Sequence, residues 1–229
     1  MPPLICGRLV RRYKRFLADV VLDTGEKVTA HCPNSGSMKG CAVPGSRVWL
    51  SCSDNPARKY RHTWELVEIN GKLAGINTLV PNRLVKTAVE NGRIEQLSGY
   101  ESVRSEVRTS AHTRLDLVLE KKSGEKCYVE IKNCTLMEDS TAMFPDAVTV
   151  RGSKHLDELC RLVECGHMGV IFFLIQRMGA ERFMPARHID DVYAGKLRHA
   201  EKAGVRILAM DTLITPEQIV IRDSIPVCL

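Results

Sequence analysis

The chain has 229 residues, 44% of them hydrophobic and 26% charged, and a formal net charge of +6, so it can bury the core of one large or two small domains. No apolar stretch is long enough to cross a bilayer, and the first residues lack the pattern of a signal peptide, so we expect a cytoplasmic protein without a membrane partner. The nine cysteines show no Cys-x-x-Cys spacing, which argues against a disulfide framework and a zinc site.

The excess of positive charge lies entirely in the first third of the chain. Residues 1–80 contain 12 lysines and arginines against 6 acidic residues, whereas residues 81–229 contain 21 of each. Such asymmetry is typical of a module that binds a polyanion and is joined to a balanced domain, although a basic face can also be merely solvated. We therefore expect a nucleic acid as the partner, with DNA favoured.

Short strands separated by turns are predicted throughout the first 80 residues. Turn sequences such as Thr24-Gly25 and Asn70-Gly71 separate segments rich in aliphatic and aromatic residues. The predicted strands are 17–22, 27–31, 47–52, 63–69 and 73–80. About five strands in this length predict a small barrel over residues 1–80. An OB-type barrel is favoured because such barrels commonly bind nucleic acid through a basic groove and stacking aromatic residues.

Basic residues interleaved with aromatic ones supply the candidate DNA-binding side chains. These candidates are Arg11, Arg12, Tyr13, Lys14, Arg15, Lys39, Arg58, Lys59 and Arg61 in the first part of the chain, and Arg151 and Lys154 in the second. The glycine-rich loop 32–40 offers backbone donors and one cation, or it is an ordinary connection. For the run 58–62, a solvated loop is the alternative.

From residue 81 onward, helical and strand patterns alternate. Helices are predicted over 81–97, from residue 151 with Ser153 as the N-cap, and over 189–203. Strands are predicted over 114–119, 128–132, 170–175 and 205–210. Residues 133–143 are polar and are predicted to be irregular. The order of elements, a hairpin followed by helix, strand, helix and strand, is typical of a mixed sheet flanked by helices. Residues 81–229 are therefore predicted to form an α/β domain.

Charged side chains occur inside the two strands of the predicted hairpin. Asp116 lies in an apolar run, where an unpaired carboxylate would incur a desolvation cost of a few kcal/mol. Glu130 and Lys132 share one face of the next strand, because strand side chains alternate. We predict that Asp116, Glu130 and the carbonyl of Ile131 bind Mg²⁺ or Mn²⁺.

In this arrangement Lys132 would orient a water molecule or stabilise developing negative charge, as in metal-dependent phosphodiester hydrolysis. Glu106, on the preceding element, is a weaker candidate for a further catalytic carboxylate. The alternative is an ordinary ion pair between Glu130 and Lys132 on an exposed strand face.

The histidines and the search for common catalytic motifs give little further indication of function. His112, His155 and His188 form no His-x-x-x-His pair, and the chain contains neither Gly-x-Ser-x-Gly nor a phosphate-binding P-loop. Serine hydrolases and the common nucleotide-binding enzymes are therefore disfavoured. His155, beside Lys154 near a helix start, could face the phosphate, but a surface or capping role is favoured.

Several longer motifs carry a resemblance to a known family. They are Tyr13-Lys14-Arg15-Phe16-Leu17-Ala18, His31-Cys32-Pro33-Asn34-Ser35-Gly36-Ser37-Met38, His62-Thr63-Trp64-Glu65-Leu66, Asn82-Arg83-Leu84, Phe144-Pro145-Asp146-Ala147-Val148-Thr149 and Arg151-Gly152-Ser153-Lys154-His155-Leu156. The chain resembles the sugar fermentation stimulation protein A family of bacteria and archaea. The resemblance implies an amino-terminal OB-fold, a carboxy-terminal PD-(D/E)XK nuclease-like domain, and a DNA-binding protein linked to sugar (maltose) metabolism and transcription regulation.

Carried over onto this sequence, the nuclease motif falls on Asp116, Glu130 and Lys132. The chain has Arg114-Leu115-Asp116 and Glu130-Ile131-Lys132 where the family more often shows Arg-Phe/Ile-Asp and Glu-Val-Lys, so the three chemical groups are kept.

Two functions stay open at this point. One is sequence-non-specific DNA binding in a regulatory role, and the other is Mg²⁺-dependent cleavage of DNA or RNA. A sugar-binding module is disfavoured because aromatic residues make up only 5% of the chain. The oligomeric state stays open as well, with a homodimer among the options.

Overall fold

The structure is a computed structural model that describes residues 1–111 and 113–229, so His112 lies outside the described residues. The amino-terminal sheet contains six strands. They are β1 (Leu4–Tyr13), β2 (Leu17–Leu22), β3 (Lys27–His31), β4 (Arg47–Cys52), β5 (His62–Ile69) and β6 (Lys72–Gly75). Their order is β3-β2-β1-β4-β5-β6, and an additional parallel pairing of β3 with β5 closes the first five strands into an OB-like barrel.

Alternation of apolar and polar residues explains how the barrel is filled. Side chains such as Leu9, Val20, Leu50 and Trp64 point inward and are buried. The Trp64 indole nitrogen donates to the carbonyl of Leu66 at 2.9 Å, which satisfies the one polar atom of that ring. Four of the predicted strands are confirmed as β2 to β5, whereas the predicted strand 73–80 ends at Gly75 in β6, and β1 itself was not predicted. Three arginines interrupt its apolar sequence, of which Arg8 and Arg11 are exposed and Arg12 is half-buried.

The second domain begins with helix α1 (Val80–Glu90) and a 3₁₀ turn over Glu95–Leu97. A six-stranded sheet follows, with two further helices packed against it. Its strands are β7 (Ser102–Arg108), β8 (Arg114–Glu120), β9 (Lys126–Cys134), β12 (Met168–Ile175), β14 (Arg206–Ile214) and β15 (Ile219–Ser224), and the helices are α2 (Val150–Glu164) and α3 (Asp191–Lys202). A small third sheet contains β10 (Leu136–Glu138), β11 (Thr141–Phe144) and β13 (Arg182–Pro185).

The order of the large sheet is β15-β14-β12-β9-β8-β7, with β12 parallel to both of its neighbours. Strand β12 lies at the centre and is buried almost throughout, as its unbroken apolar sequence requires. The expected combination of an OB-like barrel with a mixed α/β domain is thereby confirmed.

Three local predictions for the second domain are wrong. The first helix ends at Glu90 rather than at residue 97, because Asn91 and Gly92 terminate it. The second helix begins at Val150, and its N-cap is Thr149 rather than Ser153, since the Thr149 hydroxyl accepts a hydrogen bond from the Gly152 amide at 3.0 Å. The stretch 133–143 is not irregular but contains the end of β9, all of β10 and most of β11.

The barrel and the second domain are held together by main-chain and side-chain contacts. The Gly75 amide donates to the Gln176 carbonyl at 2.8 Å. A Cβ atom at position 75 would lie 2.6 Å from the Gln176 side-chain oxygen, so glycine permits this close approach. On another side, the Asp146 carboxylate accepts hydrogen bonds from the Ser37 hydroxyl and the Met38 amide, both at 3.0 Å. Among the described residues, no helix is long and apolar enough to span a membrane.

Candidate metal and nucleic-acid site

Strands β8 and β9 bring the predicted catalytic residues together where their pairing ends. The last main-chain pair in this direction is Leu117 with Val129, and beyond it the Asp116 carboxylate accepts a hydrogen bond from the Ile131 amide at 2.7 Å. A side chain therefore replaces the main-chain partner that Ile131 would otherwise have. In a strand, the N–H and C=O groups of one residue face the same neighbour, so the Ile131 carbonyl also faces the Asp116 side.

Asp116 is held from a second direction by helix α1. The Asn82 side-chain amide donates to the other carboxylate oxygen of Asp116 at 2.7 Å. The two hydrogen bonds fix the carboxylate plane, and they come from elements that lie far apart in sequence. Asn82 belongs to one of the motifs that carry the family resemblance, but no spacing rule marks it as a partner of Asp116.

Glu130 is the most buried acidic group of the site, with a side chain that is 3% exposed. One carboxylate oxygen accepts a hydrogen bond from the Lys132 ammonium at 2.6 Å and contacts the Nδ1 atom of His155. The Lys132 side chain is itself only 12% exposed. The expected proximity of Glu130 and Lys132 is therefore present, but the pair is buried rather than placed on an exposed strand face.

The two carboxyl groups have pKa values that shift in opposite directions. Burial and, after it, the nearby charge of Glu130 raise the pKa of Asp116 to about 6, against the opposing effect of the Ile131 amide. Burial also acts to raise the pKa of Glu130, but the hydrogen bond with His155 and the charge of Lys132 outweigh it and hold that pKa below its ordinary value. Near neutral pH both groups are predominantly ionised, and they repel each other.

His155 is part of the site, and the surface or capping role favoured from sequence is wrong. It lies one turn into α2 and is buried against Glu130. Its second ring nitrogen accepts a hydrogen bond from the Arg151 guanidinium at 3.3 Å. Arg151 is exposed, so a chain of polar contacts runs from the surface through His155 to Glu130. This contact could not be derived from local sequence, because the histidine is 25 residues from its partner.

Glu106 lies between the paired residues Ser105 and Val107 of β7, which places it level with Asp116 of β8. Its side chain, however, contacts Arg114 rather than Asp116. It is 58% exposed and forms an ion pair with Arg114 at 3.7 Å. Its backbone has a left-handed φ of 55°. Within the described part of the chain, no hydrogen bond connects Glu106 with Asp116, Glu130 or Lys132.

The donor set suits a hard divalent cation, although it is small. Asp116 and Glu130 offer carboxylate oxygens, and one oxygen of Glu130 is buried without a hydrogen-bond partner among the described residues. No group of three His, Cys, Asp or Glu side chains positioned to hold a metal occurs within residues 1–111 and 113–229. Mg²⁺ is commonly bound through one or two carboxylates, with water and substrate oxygens completing its octahedron, so two carboxylates and a carbonyl fit such an ion.

The predicted DNA-binding residues of the barrel lie in separate segments of the chain. In the parallel pair β3–β5, His62 and Thr63 at the start of β5 lie opposite Ala30 and His31 at the end of β3. Residues 53–61, which carry Arg58, Lys59 and Arg61, lead into the start of β5, whereas loop 32–38 follows the end of β3.

The remaining basic candidates differ in how tightly they are held. Arg11 forms an ion pair with Asp19 at 2.8 Å and packs over the Tyr13 ring. The Arg12 guanidinium is half-buried, and it donates to the carbonyls of Asn34 at 2.8 Å and Gly36 at 2.9 Å, so it braces the neighbouring loop.

The other candidates extend into solvent. Lys14 and Arg15 form the exposed β1–β2 turn and are without ion pairs among the residues that the structure describes. Lys39 is exposed near Glu138, at 3.8 Å, and Lys154 is exposed on α2.

Family models cover nearly the whole chain. The model described as the sugar fermentation stimulation protein RE domain matches residues 79–218, and that of the SfsA N-terminal OB domain matches residues 10–76. The chain belongs to the sugar fermentation stimulation protein family.

Relatives within this family are similar over their full length. A sugar fermentation stimulation protein homolog from Pelobacter propionicus is 58% identical over 229 residues, covering 100% of this chain and 99% of the relative. A homolog from Geobacter sulfurreducens is 56% identical and covers 98% and 96%, respectively. The solved structure of Pyrococcus furiosus SfsA in complex with Ca²⁺ is 27% identical, with a TM-score of 0.91 and coverage of 100% and 97%.

Proposed function

We propose that this member of the sugar fermentation stimulation protein family binds nucleic acid, with DNA favoured, and hydrolyses its phosphodiester bonds with the help of Mg²⁺ or Mn²⁺. The observation that carries the proposal is the convergence of Asp116, Glu130 and Lys132 where β8 and β9 separate. Removing the charges of Lys132 and Glu130 from water costs several kcal/mol, so such a pair is expected where it serves a function. Binding and cleaving a phosphodiester is a function that uses both charges.

Each residue has a distinct role in the proposed site. Asp116, Glu130 and the Ile131 carbonyl would hold the cation, which when bound polarises the phosphate and lowers the pKa of an attacking water. Lys132 places a positive charge beside that site, where it can stabilise the charge that develops on the phosphate. Asn82 and His155 fix the orientation of the two carboxylates. Exposed cations such as Lys14, Arg15 and Lys154 attract the polyanion without reading its sequence.

A relative supports the choice of a hard divalent cation. The Pyrococcus furiosus protein was solved with Ca²⁺, an ion that prefers oxygen ligands in the same way as Mg²⁺. The shared family and fold make a similar cation site reasonable in this chain. The assignment of that site to Asp116 and Glu130 rests on the geometry described above.

Cleavage of defined substrates tests this proposal. Labelled single-stranded DNA, duplex DNA and RNA are incubated with Mn²⁺ or Mg²⁺ and with the parent chain, Lys132→Ala or the control Lys126→Ala. Lys126 lies at the other end of the same strand, opposite Glu120. We expect products from the parent and the control, and at least a hundredfold slower cleavage by Lys132→Ala. Equal rates for all three proteins would show that any cleavage arises elsewhere.

The metal site is tested separately by calorimetric titration with Mn²⁺. Glu130→Gln removes a charge from the site, and we expect it to abolish binding. Glu106→Gln is the matched control, because Glu106 is exposed and paired with Arg114. A Glu106→Gln variant that loses metal as completely as Glu130→Gln would instead make Glu106 a ligand.

Sequence-non-specific DNA binding without turnover, in a regulatory role in sugar metabolism, is the second candidate function. It is favoured by the hydrogen bonds that already occupy both oxygens of Asp116 and one oxygen of Glu130. If the protein binds DNA but yields no cleavage product in Mg²⁺ or Mn²⁺, this function is supported and cleavage is not.

A further inference from the structure

Two adjoining cavities lie between the barrel and the second domain. One has a volume of about 520 Å³ and the other about 340 Å³. Both are lined by Ser35 and Gly36 of the barrel and by Phe144 and Asp146 of the second domain. Because they share these four residues, they lie side by side, and we call the two together the junction cleft.

The ends of the junction cleft carry cations. Arg12 and Arg15 line one end, and Lys132 lines the other. Arg15 is exposed and unpaired among the described residues, so it is available to a phosphate, whereas Arg12 is engaged with the carbonyls of its own loop. The two cavities of the cleft therefore place a free arginine of the barrel and the lysine of the candidate catalytic site on either side of their shared residues.

The walls between these ends suit a nucleotide. Phe144 and Val148 present apolar surface, and Val148 is 72% exposed. Phe144 is held in place by edge contact with Tyr193, at a ring-centroid distance of 5.2 Å. Ser35 and Asn34 add polar groups. Asp146 is the acidic residue of the lining, and its carboxylate is engaged by the Ser37 hydroxyl and the Met38 amide.

The cleft is too small to enclose a double helix. Its volume lies in the range of small-ligand sites, about 300–1,000 Å³, which is space for a few unpaired nucleotides. Asp146 also ties the two walls together through the Ser37 hydroxyl, which donates to its main-chain oxygen at 2.8 Å, in addition to the two hydrogen bonds to its carboxylate. Widening the cleft to admit a duplex would break all three hydrogen bonds.

We propose that the junction cleft binds an unpaired nucleic-acid strand and leads its backbone from Arg15 to Lys132. This inference rests on the proposed nuclease function and names its substrate class, which is a single-stranded segment, flap or end rather than an intact duplex. Phosphate groups contact Arg15 at the entrance, and a base packs against Phe144 and Val148 inside the cleft. Base stacking on an aromatic or apolar surface tolerates any sequence, which agrees with non-specific recognition.

Binding to matched oligonucleotides tests the inference. Fluorescence anisotropy is measured without metal for one labelled DNA strand of mixed sequence, alone and annealed to its complement. The proteins are the parent chain, Val148→Glu, Ser35→Trp and the control Val43→Glu. Val43 is also an exposed valine, at 54%, but it lies in the loop between β3 and β4. We expect the parent to prefer the single strand, and Val148→Glu and Ser35→Trp to weaken single-strand binding by roughly tenfold.

The control Val43→Glu adds the same negative charge outside the cleft. It therefore distinguishes a loss of DNA binding at the cleft from a general repulsion between the added charge and DNA. A duplex preference in the parent, or equal losses in Val148→Glu and Val43→Glu, would overturn the cleft assignment. Cleavage of duplex DNA that depends on Lys132 would overturn it as well, but would leave the nuclease function standing. The absence of binding to either substrate would overturn both. Because Val148 is exposed, its substitution keeps the test decisive even if Ser35→Trp fails to fold.

Discussion

The side chains of Asn82 and Asp116 are joined by a 2.7 Å hydrogen bond that connects helix α1 with the sheet of the second domain. Replacing Asn82 by alanine leaves Asp116 with one donor, the Ile131 amide, so the carboxylate can rotate about that bond. Partners of metal-binding carboxylates typically contribute 10–100-fold to affinity. We therefore expect Asn82→Ala to weaken Mn²⁺ binding roughly tenfold in a calorimetric titration.

The neighbouring residue provides the control for this experiment. Arg83 is exposed on the same helix and is not one of the donors to Asp116, which are Asn82 and Ile131. Arg83→Ala should bind Mn²⁺ with the affinity of the parent. If both variants lose affinity to the same degree, the effect comes from helix α1 as a whole rather than from the hydrogen bond to Asp116.

The raised pKa of Asp116 predicts a pH-dependent cost to the stability of the metal-free protein. Its pKa is about 6 when folded, against an ordinary value of 3.8, so the folded state binds this proton more tightly than the unfolded state. Stability is therefore lost as the pH rises from about 4 through 6. Asp116→Asn removes the titration, and the Asn82 amide can turn to offer its oxygen to the new amide.

Denaturant unfolding of the two proteins at several pH values checks this prediction. We expect the variant to gain stability relative to the parent by roughly 2–3 kcal/mol between pH 4 and pH 7, because a tenfold change in the acid dissociation constant corresponds to about 1.4 kcal/mol. The experiment is done with a chelator, so that no bound cation stabilises the parent. A difference between variant and parent that stays constant with pH would contradict the raised pKa of Asp116, which its burial and then the charge of Glu130 produce.

Two helical glycines should respond to alanine in opposite directions. A Cβ atom at Gly152 would lie 2.9 Å from the Thr149 hydroxyl, which caps α2, and 3.1 Å from the Tyr193 ring. Gly152→Ala should therefore destabilise the protein by about 1–3 kcal/mol through overpacking. At Gly195 of α3 a Cβ atom would meet nothing within 4 Å, so Gly195→Ala should stabilise by about 0.5–1 kcal/mol. Denaturant midpoints measure both, and a loss at Gly195 would contradict the open space there.

Local sequence patterns predict much of this fold because they report burial directly. The run 170–175 is apolar without interruption, and it forms the central strand β12. Strand β1 escaped prediction because the exposed Arg8 and Arg11 and the half-buried Arg12 interrupt its apolar sequence. The stretch 133–143 was assigned wrongly since its polar residues favour an irregular segment, whereas it forms short strands in which Cys134, Thr135, Leu136, Thr141 and Ala142 are buried.

The candidate site was only partly visible in the sequence. Asp116, Glu130 and Lys132 stand out because charges are rare inside apolar strands, and they lie within 17 residues of one another. Asn82 and His155 reach the same site from two helices, one on each side of the hairpin in the chain. Only the packing of these helices shows that relationship, so no spacing rule could have supplied it.

The salt dependence of DNA binding should separate cations that contact phosphate from those that hold the barrel together. Each phosphate contact releases counterions, so its removal lowers the slope of log affinity against log salt by about 1. Lys14→Ala and Arg15→Ala remove exposed charges from the β1–β2 turn, and we expect each to reduce the slope with little change in stability. These measurements use DNA binding isotherms at several salt concentrations and a denaturant curve for each variant.

Arg12 should behave differently, although it stands two residues from Lys14. Its guanidinium donates to the Asn34 and Gly36 carbonyls, so Arg12→Ala leaves that loop without its brace. We expect a loss of about 1–3 kcal/mol in the free energy of unfolding, because hydrogen bonds from charged groups contribute that much. The salt slope should fall less than in Arg15→Ala, since the Arg12 charge already faces carbonyl oxygens. An Arg12→Ala protein with unchanged stability and a salt slope as low as that of Arg15→Ala would instead make Arg12 a phosphate contact.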